Sequence, residues 1–128
     1  MKLIDTCVYV EVLRGTPTGN LLKPLIPPPG QLLVSTVVLY ELGKWVARNM
    51  GAEEVDEFIA AMLTAQVIEP NAGIALHASE LSATHQLHAL DALIYATALE
   101  HDAELVTCDA HFKDLPSVDY RAKSTQAV

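Results

Sequence analysis

The sequence predicts a three-layer α/β/α fold around a central parallel sheet of four to five short strands. Three observations lead there. Short apolar runs recur at Lys2–Ile4, Gln31–Val34, Gln66–Ile68 and Glu104–Thr107, with one more short strand at Val118–Tyr120. Stretches with helical spacing of apolar residues separate them. Strands that alternate with helices in this way pair in parallel and carry helices on both faces. At 128 residues the chain is long enough to bury a core, and it shows no repeat or internal boundary. The expected unit is residues 1–120, followed by a polar tail, 121–128, expected to fray.

Each element has a local reason. After Lys2–Ile4, Asp5-Thr6 offers a helix cap, Val8, Val12 and Leu13 keep helical spacing, and Gly15 stops the helix. Thr16–Gly30 holds five prolines and two glycines and reads as a stiff loop with one helical turn around Leu21–Leu25. Gln31–Val34 follows as a strand. Ser35 or Thr36 then caps a helix that runs through Met50 to Gly51, with Leu39, Leu42 and Val46 on one face. Ala52–Thr64 repeats the period through Val55, Ile59 and Met62, and its four leading acids favour the positive end of the helix. Asn71 caps a helix to Gln86, and a further helix runs from His88 into the strand Glu104–Thr107, with Asp91 placed at its start.

Composition excludes several classes. Eight Lys and Arg stand against sixteen Asp and Glu, a net charge of −8, which argues against binding nucleic acid through bulk phosphate attraction. The objection weakens if acids bind divalent cations, which neutralise them locally. The start of the chain has no signal-peptide core, and no apolar run of about 18 residues exists to span a membrane. The two cysteines, Cys7 and Cys108, then read as reduced thiols, and the expected location is the cytoplasm. At 51% the hydrophobic share is slightly above the usual one, which leaves apolar surface for a partner.

In an open parallel sheet, sites form beyond the carboxyl ends of the strands. Asp5 follows the first strand and Asp109 the last long one. Glu41 lies between one and two turns into the helix leaving the second strand, and Asp91 opens the helix feeding the last. Crowded carboxylates repel, and a hard divalent cation with oxygen ligands removes that conflict. An acid cluster with no histidine or cysteine ligand suits Mg²⁺ or Mn²⁺ phosphodiester chemistry better than zinc. Helix capping is the simpler account of Asp5, Asp91 and Asp109 taken one at a time. Glu41 sits where capping cannot explain it, although a plain solvent-facing glutamate would.

The motifs LIDTCVYVEVLRG, STVVLYEL and LDALIYATALEHDAELVTCDAHFKDLP together resemble the PIN domain family, and within it the VapC-type toxin ribonucleases. The resemblance spans nearly the whole chain, and its last motif is the specific one. It implies a Mg²⁺- or Mn²⁺-dependent endoribonuclease with four catalytic acids, Asp5, Glu41, Asp91 and Asp109. Asp5, Asp91 and Asp109 would bind metal, Glu41 would bind metal or orient the attacking water, and Thr6 and Thr107 would support the site. It also implies a homodimer and a cognate antitoxin that packs near the site. Asp114 is an outer-shell candidate, better read as a surface residue.

The family often has Asn or Ser two residues after the first acid, where this chain has Cys7. A thiol is the weaker hydrogen-bonding group. The family's sheet order sets Cys7 and Cys108 on adjacent strands, which raises a hypothesis of redox sensitivity against the simpler reading of two small buried residues. Two free thiols after mild oxidation would end that hypothesis. His85 and His88 share a spacing used by metal pairs but lack a third ligand, and His77, His101 and His111 carry no pattern. Arg14, Lys44 and Arg48 are candidate RNA contacts, with ordinary surface roles as the rival. Trp45 and Tyr40 are expected in the core or an interface.

Two other functions remain open at this level. One is a phosphohydrolase with an aspartyl nucleophile, which would want a second acid at the place of Cys7. The other is a catalytically inactive PIN-fold binding module, for which the net charge of −8 is the main support.

Overall fold

The computed structural model describes residues 1–124. Its elements are β1 (Lys2–Ile4), α1 (Thr6–Arg14), α2 (Pro17–Leu22), β2 (Leu32–Ser35), α3 (Thr36–Asn49), α4 (Ala52–Met62), β3 (Gln66–Ile68), α5 (Ala72–His85), α6 (Ala89–Glu100), β4 (Glu104–Thr107) and β5 (Val118–Tyr120). The five strands form one parallel sheet in the order β3-β2-β1-β4-β5. The chain moves outward from β1 on one side and then crosses to the other. Crossovers in opposite directions put helices on both faces and leave a crevice between the ends of β1 and β4. The predicted three-layer α/β/α fold is the one observed.

Local signals explain most boundaries. Asp5 caps α1 by accepting from Thr6 N at 2.8 Å, and Gly15 ends it at φ 66°, a conformation glycine adopts without strain. Ser35 caps α3 and Asn71 caps α5. Helix α6 is apolar nearly all round, with Ala92 and Ile94–Ala98 buried, because the sheet and α5 cover it. Tyr95 on α6 packs edge-on against Phe112, and its hydroxyl donates to Pro116 O at 2.6 Å. This contact ties the helix of Asp91 to the loop that follows Asp109.

The structure corrects the sequence reading in two places here. The proline-rich segment is more helical than a loop with one turn. Thr16 caps α2 by accepting from Gly19 N, and Pro17 occupies the first turn, where its missing N–H costs nothing. Two 3₁₀ turns, Lys23–Leu25 and Pro29–Gln31, follow. Gly19 is required for this packing, since a Cβ there would strike the Glu11 carbonyl of α1.

Asp91 is not the residue that opens α6. His88 holds the cap position, and Asp91 is the third helical residue, in the first turn. Of the tail expected to fray from Arg121, two backbone amides among the described residues are bonded to the body. Arg121 N donates to Thr107 O at 2.9 Å and Ser124 N to Thr18 Oγ1 at 2.7 Å. The rest of the tail lies outside the described residues. Among those described, no helix is long and apolar enough to cross a membrane.

Candidate active site

The crevice at the ends of β1 and β4 holds a cleft of about 320 Å³. Asp5, Glu41, Asp91 and Asp109 all line it, together with Thr6 and Cys7. Four segments distant in sequence thus deliver their acids to one place.

Asp5 leaves β1 almost fully buried, 4% exposed. Its Oδ1 accepts from Thr6 N, and its Oδ2 accepts from Thr107 Oγ1 at 2.7 Å and from the Cys7 thiol at 3.5 Å. Burial nevertheless pushes its carboxyl up to about 6, partly offset by the bonds from Thr107 and Thr6 and reinforced by the charge of Asp91. With both oxygens engaged and buried, Asp5 is poorly placed as a nucleophile toward phosphate, which weighs against the aspartyl-phosphate alternative.

Thr107 joins the first and last acids. Its hydroxyl donates to Asp5 and accepts from Asp109 N at 3.0 Å. Thr6 does the same work across the cleft, where its Oγ1 donates to Glu41 Oε1 at 2.8 Å. Glu41 is therefore a directed group and not a plain surface glutamate.

Asp109 accepts from His111 N at 2.9 Å, so its cap-like geometry is real, and it faces the cleft as well. Asp91 differs from the others, because its carboxylate accepts no hydrogen bond from a described residue. Burial raises its pKa, and the charges of Asp109 and Glu41 raise it further, while His88 and His111 offset part of this. Electrostatic repulsion therefore runs through all four acids, from Asp5 to Asp91 and from Asp91 to Glu41 and Asp109.

Sequence reasoning missed three groups. His111, read as patternless, puts Nδ1 at 2.9 Å from Asp109 Oδ1, and ligand atoms of Asp91, Asp109 and His111 all lie within 4.8 Å of one another. A histidine thus stands within reach of the acid cluster, where none was expected. Glu11, on the inward face of α1, is 7% exposed and lines the same cleft. Lys123 of the tail lines it too. Single polar residues outside any motif give no sequence signal of this kind.

The remaining candidates sort plainly. Arg14 lines the cleft, whereas Lys44 and Arg48 do not. Tyr40 is exposed, with Lys44 Nζ 5.3 Å from its ring centroid, and Trp45 packs against the core. His88 stacks edge-on with His111, His85 with Tyr95, and His77 pairs with Glu100. Asp114 is exposed away from the cleft. Cys7 and Cys108 are free thiols, with Cys108 N donating to Cys7 Sγ at 3.4 Å. The neighbouring Cys108 thiol, burial and the nearby Asp5 charge all hold the Cys7 thiol protonated. Cys7 thus does supply the contact that an amide or hydroxyl would make to Asp5, more weakly.

Comparison with known proteins points to one family. Residues 2–118 match the PIN domain. A curated relative from Mycobacterium tuberculosis, Ribonuclease VapC19, is 34% identical over 122 residues, which covers 92% of this chain and 97% of that protein. A toxin–antitoxin complex from Klebsiella pneumoniae superposes with a TM-score of 0.78 at 25% identity, over 93% of this chain and 96% of that one. The sarcin-ricin-loop-cleaving toxin VapC20 of Mycobacterium tuberculosis shares the fold, with a TM-score of 0.72 at 20% identity over 91% and 95% of the two chains.

Proposed function

The chain belongs to the PIN domain family, among the VapC toxins of toxin–antitoxin systems, and on that premise we propose that it is a divalent-metal-dependent endoribonuclease that hydrolyses RNA phosphodiester bonds and is neutralised by a cognate antitoxin. The observation that carries the reading is the gathering of Asp5, Glu41, Asp91 and Asp109, which repel one another, in one cleft. Folding tolerates such a cluster at a cost in stability, and a cation removes the cost.

The residues fit a hard divalent ion. The donor set is mainly carboxylate oxygen, and Asp91 is half-buried with no hydrogen-bond donor of its own. Asp5, Asp91 and Asp109 would hold Mg²⁺ or Mn²⁺, directly or through water, with His111 within reach of the last two. When bound, such an ion lowers the pKa of a water and offsets the charge on the departing oxygen.

The chain's own groups do the rest. Thr107 fixes the Asp5 and Asp109 segments relative to each other, and so sets the spacing of the site. Thr6 occupies Glu41 Oε1 and leaves Oε2 to orient a water and accept its proton. In-line attack by that water needs no 2′-hydroxyl nucleophile. The antitoxin reading draws support from the Klebsiella pneumoniae relative, whose structure is a toxin–antitoxin complex. A homodimer acting in the cytoplasm completes the proposal.

The test is Asp5→Asn, assayed for Mg²⁺-dependent RNA cleavage and for growth arrest on expression. Both should vanish while the circular-dichroism spectrum and cooperative unfolding persist. Full cleavage by a folded Asp5→Asn protein would refute the site assignment. An aryl phosphate turned over in place of RNA would favour the phosphohydrolase reading.

A further inference from the structure

The proposed chemistry makes no use of Glu11 or Lys123, yet both line the acid cleft. Glu11 is a buried carboxylate on α1. Thr16 Oγ1 donates to its Oε2 at 2.5 Å, and Lys123 Nζ lies 3.7 Å from its Oε1. Lys123 is the one cation paired with Glu11 among the described residues. It is carried by the short tail that leaves β5, pinned before it at Arg121 N to Thr107 O and after it at Ser124 N to Thr18 Oγ1. The tail therefore runs as a strap from the end of β4 to α2, along the rim of the cleft. Lys123 also lines the adjoining cavity of about 470 Å³ beside Cys108, Asp109 and Tyr120.

The chain has eight Lys and Arg against sixteen acids, so an RNA strand approaching this cleft meets mostly negative charge. A divalent ion would neutralise the reacting phosphate but not its neighbours. An ammonium held at the rim answers that need. Its side chain is 56% exposed, and a single contact at 3.7 Å leaves other ammonium protons free to donate. Anchoring by the strap and by Glu11 also reduces the rotamer entropy that a free lysine would lose on binding.

We propose that Lys123, positioned by Glu11 and the C-terminal strap, binds an RNA backbone phosphate next to the scissile one. The proposal rests on the ribonuclease reading and deepens it. Lys123 contacts the substrate, and Glu11 is a positioning residue that acts through it.

The experiment uses a short single-stranded RNA and the full chain. Steady-state cleavage with Mg²⁺ is measured for wild type, Lys123→Gln, Lys123→Arg and Glu11→Gln. Binding of the same RNA is measured against salt in an Asp91→Asn background, with and without Lys123→Gln. Lys123→Gln should raise KM several-fold with kcat nearly unchanged, and the salt slope of binding should fall by about 0.7, the value for one single-strand phosphate contact. Lys123→Arg should restore both. Glu11→Gln should raise KM less, with no further effect once Lys123 is replaced.

An unchanged KM and salt slope in Lys123→Gln overturns the proposal, as does equal damage from Lys123→Arg, which marks a packing role. RNA bound but never cut by wild type would sink the ribonuclease reading alone, and the salt slope would still decide Lys123. No RNA binding at all sinks both.

Discussion

Two concave regions of this molecule invite comparison. The groove between α5 and α6, about 470 Å³, is lined by small residues such as Ala75, Ala78, Ser82 and Ala83, with Leu93 beside them. The acid cleft is smaller, about 320 Å³, and its lining is dominated by charged and hydroxyl groups. Size alone would choose the groove. The groove, however, contains no titratable group, and its alanines let two helices pack closely. In the cleft, burial and mutual repulsion raise the pKa of Asp5 and Asp91, and the fold keeps that tension. Crowded, buried charge marks the cleft as the candidate for chemistry, and small side chains mark the groove as packing.

The contrast is sharpest under paired substitutions. Asp109→Asn should cut Mg²⁺-dependent cleavage by at least ~100-fold. Ala83→Glu, in the groove, should leave kcat and KM unchanged in a fluorogenic RNA assay. Equal losses from the two would end the distinction. Next comes Thr107→Val, which removes the hydroxyl that both donates to Asp5 and accepts from Asp109. It should cost about 1–3 kcal/mol of stability in urea unfolding and roughly 10–100-fold in activity.

A smaller effect is expected at His111. An imidazole beside Asp91 and Asp109 favours Mn²⁺ over Mg²⁺, so His111→Asn should narrow the difference in affinity for the two ions by calorimetry. An unaltered ratio would leave His111 only the role of orienting Asp109.

The smallest effect concerns stability without metal. A carboxyl whose folded pKa is raised binds its proton more tightly when folded, so its charged form opposes folding. For Asp5 that opposition is full above about pH 6 and fades as the pH falls from there to 3.8. Metal-free protein should therefore gain stability from this group over that window. Asp91→Asn should for the same reason raise the metal-free Tm at pH 7, with Mg²⁺ adding less to it than to wild type. A lower metal-free Tm would show that Asp91 has a structural partner.

The architecture was readable because alternating apolar strands and capped helices are local signals. Asp5, Ser35, Asn71 and Gly15 each declare a boundary within a few residues of sequence. The four acids were readable only once strand order placed them on one edge, and Glu41 needed Thr6 beside it to become more than a surface glutamate. Helix α2 was obscured because prolines that break helices in general also start them at the first turn. Gly19 looked like loop composition, yet what it provides is close approach to the Glu11 carbonyl, a contact no sequence window contains. Asp91 was misplaced by part of a turn because the actual cap, His88, makes no side-chain capping bond. His111, Glu11 and Lys123 reach the cleft through tertiary folding alone.

The Thr107 hydroxyl donates to Asp5 across 102 positions of sequence. During synthesis β1 cannot receive β4 until the residues between them have left the ribosome, and a contact of such separation forms late in folding. A nascent or prematurely terminated chain therefore carries Asp5 and Glu41 without the partners that complete the cleft. For a member of a toxin family this is a form of timing, because the four acids do not share one cleft until β4 and the residues just after it have been made.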